Sequence, residues 1–108
     1  MYLKINQSAI SLKEASTFFQ RFLGLSYKRN SKFALLFKNT KCVHTFGMFF
    51  QIHLLCLNQN FEIIKIKTNL KPFRIFIAPK GTKHIIEIPS NLIKFDNKNS
   101  KLKIDLQN

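Results

Sequence analysis

Residues 42–56 read CVHTFGMFFQIHLLC. Two cysteines and two histidines in one short run raise zinc first, because zinc takes four nitrogen or sulfur ligands at a tetrahedral site. In an extended chain Cys42 and His44 share a face. His53 and Cys56 stand an odd number of positions apart and point to opposite faces. The second ligand pair therefore fails unless a bulge intervenes, and no metal is assigned. The alternative reading is two strands, KCVHTF (41–46) and FFQIHLLCL (49–57), divided by a bend or bulge at Gly47. On that reading the cysteines are buried free thiols rather than a disulfide or a nucleophilic pair.

The pattern continues on both sides. Asn58, Gln59 and Asn60 form a hairpin turn into FEIIKIK (61–67). FRIFIA (73–78) and KHIIEI (83–88) flank PKGT, a turn with Pro79 and Gly81. Upstream, FALLF (33–37) has the composition of a buried strand, and YLKIN alternates Leu3 and Ile5 with polar neighbours. At the far end KLKIDL (101–106) alternates with Leu102, Ile104 and Leu106 inward, while PSNLIKFDNKNS is irregular. One segment reads as helix. In SLKEASTFFQRFLG, Ser11 and Glu14 form a capping box, Leu12, Ala15, Phe18, Phe19 and Phe22 fall on one helical face, and Gly24 supplies a stop. The expected fold is mainly β: a small antiparallel β-sandwich or barrel-like domain with one N-terminal helix, over about 11–23, packed against it.

A chain of 108 residues with a 45% apolar share is expected to form a single domain, residues 1–108, with a core of its own. Its apolar runs are too short for a transmembrane segment, and MYLKINQSAI lacks the order of a secretory signal. Two cysteines without such a signal point to reduced thiols in the cytoplasm. The net charge of +13 admits two readings. It is a footprint for nucleic acid or an anionic surface, or it is solubility combined with the Lys, Asn, Ile and Phe bias of a low-GC genome. The lysines are scattered from Lys4 to Lys103 rather than gathered.

Several elements in a fixed order carry a family resemblance: Gly24-Leu25 after the helical segment, His44-Thr45-Phe46-Gly47-Met48, Ile52, then Leu70, Pro72 and Arg74, and Glu87-Ile88-Pro89. Over about residues 15–89 the chain resembles domain-of-unknown-function family 192, an uncharacterised ancient conserved region of bacteria and archaea. The resemblance implies a compact β domain with one packed helix, brings no established activity, and points to a shared polar pocket. The family pattern has an Asp directly after the Ile of the strand that follows Met; here that position is His53. Phe49, Gln51 and Asn58 also depart from the pattern, and the His and Asn exchanges remove the carboxylates that calcium or magnesium would want.

The candidate pocket is therefore His44, Thr45, Met48, His53, Arg74 and Glu87. Glu87 lies among apolar neighbours and requires a partner, either Arg74, His53 or Lys83. A His53–Glu87 pair would favour a charged imidazole. Phosphate loops, nucleophile elbows and HExxH zinc helices are missing from the sequence. The expected function is a non-enzymatic binding or accessory module for a small molecule or a protein partner, with no cofactor. Nucleic-acid or anionic-surface binding through lysines is the alternative, and an enzyme using a His53/Glu87 proton-transfer pair is a further one.

Overall fold

The computed structural model describes residues 2–5, 8–15, 33–45, 50–94 and 104–107. Among the described residues nine strands follow in order: β1 (Tyr2–Ile5), β2 (Ser8–Glu14), β3 (Phe33–Phe37), β4 (Cys42–His44), β5 (Ile52–Leu57), β6 (Ile63–Leu70), β7 (Ile75–Ile77), β8 (His84–Pro89) and β9 (Ile104–Gln107). Seven of them form one sheet in the order β6-β5-β8-β3-β2-β1-β9, which curls into a half-barrel; β4 and β7 form a separate two-stranded ribbon.

The β character expected from alternation and turns is present, with two corrections. Ser11 to Glu14 belong to strand β2, not to a helix. Ile10 and Leu12 are buried while Ala9, Ser11 and Lys13 are exposed, the period of two of a half-buried strand. A capping box and a strand both fit SAISLKE, and pairing with β1 and β3 decides for the strand. Residues 16–23 of the expected helix lie outside the described residues. The second correction concerns direction. β2 and β3 pair in parallel, so the sheet is mixed rather than antiparallel.

Three adjacent strands, β5, β8 and β3, are buried at every position. Both faces of the sheet are covered, which is why FALLF, IHLLCL and HIIEIP read as near-continuous apolar runs. On one face Phe33, Leu35, Phe37, Ile52, Leu54 and Ile85 pack with Val43, Phe76 and Ala78 of the β4–β7 ribbon and its end. On the other, Leu3, Ile5, Ile10, Leu12, Leu36, Leu55, Leu57, Ile86 and Ile88 pack with Phe61, Leu92 and Ile93.

Two turns are built as their residues dictate. Thr82 N–H donates to the Pro79 carbonyl at 3.2 Å, and Gly81 takes the positive φ of 96° that the third position of a type II turn requires. In the β5–β6 hairpin the Asn58 side chain accepts from the amides of Asn60 and Glu62, both at 2.9 Å, and donates to the Glu62 carboxylate at 3.0 Å. Phe61 closes that hairpin at φ 61°, a left-handed conformation usually left to Gly or Asn.

Candidate functional site

Strand β5 places its side chains alternately on the two faces. Directly opposed residues in neighbouring strands share a face, and the register pairs His53 with Ile88 but Leu54 with Glu87. His53 therefore lies on the face of Leu55, Leu57, Ile86 and Ile88, whereas Glu87 lies on the face of Leu35 and Leu54. The sheet separates them, so the expected His53–Glu87 pair does not form. Both side chains are 2% exposed.

The surroundings of His53 explain a buried imidazole. Between Ile52 and Leu54 the β5–β6 register slips, so that Thr68 and Asn69 oppose the single residue His53. Asn69 adopts a φ of 54° at this bulge, and its amide donates to Nδ1 of His53 at 3.1 Å. Nδ1 thus keeps its lone pair, the proton sits on Nε2, and Nε2–H donates to the Ile93 carbonyl at 2.9 Å. The ring ties β6 to the segment after β8. Burial pushes its pKa below the ordinary histidine value, with the carbonyls of Ile93 and Ser90 pulling the other way. A neutral imidazole, not the charged one expected beside a carboxylate, is the resident form. Where the family pattern has an acceptor carboxylate, this chain offers an acceptor nitrogen.

Beside His53 opens a cleft of about 300 Å³ lined by Asn69, Ser90, Ile93 and Lys94. None of these four was expected at a site. They come from two segments distant in sequence, the β6 bulge and the turn after β8, and no spacing rule connects them. His84 was missed as well. It is 7% exposed, accepts the Asn39 amide on Nδ1 at 3.2 Å, and stacks on Phe61 with ring centroids 4.4 Å apart. Burial lowers its pKa, assisted by Lys38 and Lys83.

The other expected pocket residues are dispersed. Thr45, fully buried, is a backbone clip: its hydroxyl donates to the Lys71 carbonyl at 2.8 Å and accepts from the Arg74 amide at 2.7 Å. Its own amide donates to the Arg74 carbonyl at 2.8 Å, and its carbonyl accepts from Phe73 N–H at 3.1 Å. Thr45 and Arg74 are thus brought together, through the main chain of Arg74. The Arg74 guanidinium is exposed and reaches the carbonyls of Pro72 and Phe73, at 3.5 and 3.4 Å, rather than Glu87. His44 is half-buried on the outer side of the β4–β7 ribbon, opposite Ile75. Met48 lies outside the described residues. The cysteines are free, but only Cys56 is buried; Cys42 is exposed. Among the described residues no three His, Cys, Asp or Glu side chains cluster to hold a metal ion, and no helix is long and apolar enough to cross a membrane.

The family model of DUF192, described as an uncharacterised ACR, matches residues 1–102, nearly the whole chain. The chain belongs to domain-of-unknown-function family 192. Within that family it is 33% identical over 92 residues to a UPF0127 protein of Thermococcus sibiricus, covering 80% of this chain and 59% of that protein. It is 34% identical over 84 residues to a UPF0127 protein of Pyrococcus horikoshii, covering 72% of this chain and 71% of that one. These relatives are archaeal. The match thus spans less than two thirds of the Thermococcus protein. Two crystal structures share the fold. One, from Sinorhizobium meliloti and provisionally called a transcription regulator, superposes with a TM-score of 0.71 at 17% identity, covering 86% of this chain and 81% of that one. The other, a protein of unknown function from Novosphingobium aromaticivorans, gives 0.70 at 13%, covering 84% and 74%. At these identities the likeness concerns the family 192 fold alone.

Proposed function

We propose that this family 192 chain is a non-enzymatic binding module whose site is the cleft beside His53, taking a small molecule that carries an anionic group. The carrying observation is the composition of that cleft. Its charged side chain is the cation Lys94, its neutral polar side chains are those of Asn69 and Ser90, and its apolar wall is Ile93. A volume of about 300 Å³ stands at the small end of ligand sites, which run from roughly 300 to 1,000 Å³. An ammonium beside a hydroxyl and an amide complements a carboxylate or a phosphate. Binding is favoured over catalysis by two described residues: both ring nitrogens of His53 are engaged by backbone groups, and Glu87 faces the other way.

Native mass spectrometry of gently purified protein tests this, alongside thermal stabilisation by acetate and by inorganic phosphate. A small-molecule adduct lost on denaturation, or stabilisation by either anion, is expected for the wild type. Neither is expected for Ile93→Trp, which fills the cleft, and both should weaken in Lys94→Gln. A wild type with no adduct and no response to either anion, or an adduct that Ile93→Trp retains, overturns the reading.

A further inference from the structure

In the β4–β7 ribbon, Val43 and Phe76 turn toward the sheet and join its core. The alternate positions turn outward, and on β7 they are apolar. On β7 these are Ile75 and Ile77, 62 and 76% exposed, and Phe73, two residues before the strand, is 57% exposed, giving three large exposed side chains at every second residue. Phe73 heads the row at a φ of 61°, with its amide held by the Thr45 carbonyl. A left-handed conformation is unfavourable for a non-glycine residue, and a mostly exposed ring recovers little of that by packing. Strain retained at an exposed aromatic position points to use.

The charge around the row is of one sign. Lys41, Lys71, Arg74 and Lys80 are exposed at or near the ribbon's ends. From Ala15 to Ile86 the sequence contains a single acid, Glu62, whose carboxylate accepts a hydrogen bond from Asn58 in the opposite hairpin. A second copy of this chain, itself at +13, would meet this surface with repulsion. Three exposed apolar side chains flanked by cations match an anionic lipid surface, which offers phosphates to the cations and an apolar boundary to the side chains. We infer that the Phe73–Ile75–Ile77 row is a peripheral docking surface for an anionic membrane, its three apolar side chains entering the headgroup boundary while the flanking cations meet lipid phosphates. The cations supply attraction to an anionic surface, and the apolar row adds the burial that a purely electrostatic contact lacks.

Vesicle flotation tests the assignment, with the full chain on phosphatidylcholine vesicles and on vesicles containing about one third phosphatidylglycerol. The wild type is expected to bind the anionic vesicles about tenfold or more above the neutral ones, with binding falling as salt rises. The triple variant Phe73→Ser, Ile75→Ser, Ile77→Ser should lose most of that binding. Ile77→Ser alone, at the most exposed of the three positions, should weaken it without disturbing the fold. Equal binding to both vesicle types, or a triple variant that floats like the wild type, overturns the inference. So does a wild-type dimer, seen by size-exclusion chromatography with light scattering, that the triple variant dissociates, since the row would then serve self-association.

Discussion

The Asn69 amide lies 3.1 Å from Nδ1 of His53, delivered there by a bulge that gives β6 one residue more than β5. A histidine is thereby built into the sheet as a hydrogen-bond acceptor. Its other nitrogen donates to Ile93, so one ring closes one side of the cleft and joins two segments of chain.

This arrangement makes stability depend on pH with a definite sign. Both His53 and His84 have pKa values lowered from 6.5 by burial. Below 6.5 the unfolded chain takes up protons that the folded one refuses, so stability is full above that value and falls as pH drops toward the lowered folded values. Urea midpoints measured between about pH 7.5 and pH 5, above the carboxylate range, should fall with acid. In His53→Gln the slope should be shallower. An unchanged slope would show that His53 titrates normally in the folded state.

Thr45→Val keeps the shape of the side chain and removes its hydroxyl. The Lys71 carbonyl and the Arg74 amide then lose their partner, at a cost of about 1–3 kcal/mol. Thr45→Ser should retain most of the stability. Hydrogen exchange gives a local readout: the Arg74 amide should exchange faster in the valine variant, while the amides of the β5–β8 ladder follow global stability only.

Phe61 separates backbone strain from ring stacking. Phe61→Asn and Phe61→Val both abolish the 4.4 Å stack on His84, but only asparagine tolerates the φ of 61°. The valine variant should be less stable than the asparagine variant by about 1 kcal/mol or more in chemical denaturation. Equal stability would show that the hairpin relaxes out of the left-handed conformation.

The two thiols should differ sharply toward a disulfide reagent. Cys42 is exposed and should react with the native protein at once. Cys56 is fully buried, and burial raises its thiol pKa against the opposing effects of Lys65 and Thr82. It should react only at the rate of unfolding. Rapid modification of both in native conditions would contradict the buried position of β5.

Much of this molecule is legible in its sequence. The β5–β6 hairpin follows from Asn58 to Asn60 between apolar runs, the turn before β8 from Pro79 and Gly81, and the family from HTFGM and its spaced companions, because each is carried by neighbours in sequence. The N-terminal SAISLKE was ambiguous, since Ser11 and Glu14 suit a helix start as well as Ile10 and Leu12 suit a strand. Only pairing with β1 and β3 resolves it.

The candidate site depended on register. As the polar residues of two apolar strands His53 and Glu87 are natural partners by sequence, yet a register that matches Leu54 to Glu87 puts the sheet between them. The cleft residues Asn69, Ser90 and Lys94 meet because a bulge in β6 and a turn after β8 converge on one imidazole. The strands from β3 to β8 and the places of their turns follow from alternation and torsional preference within a few residues, and the sequence determined them by itself. Which face a side chain occupies, and which distant groups it meets, is decided when long-range pairing buries both faces of the sheet at once, and that was settled by the tertiary structure alone.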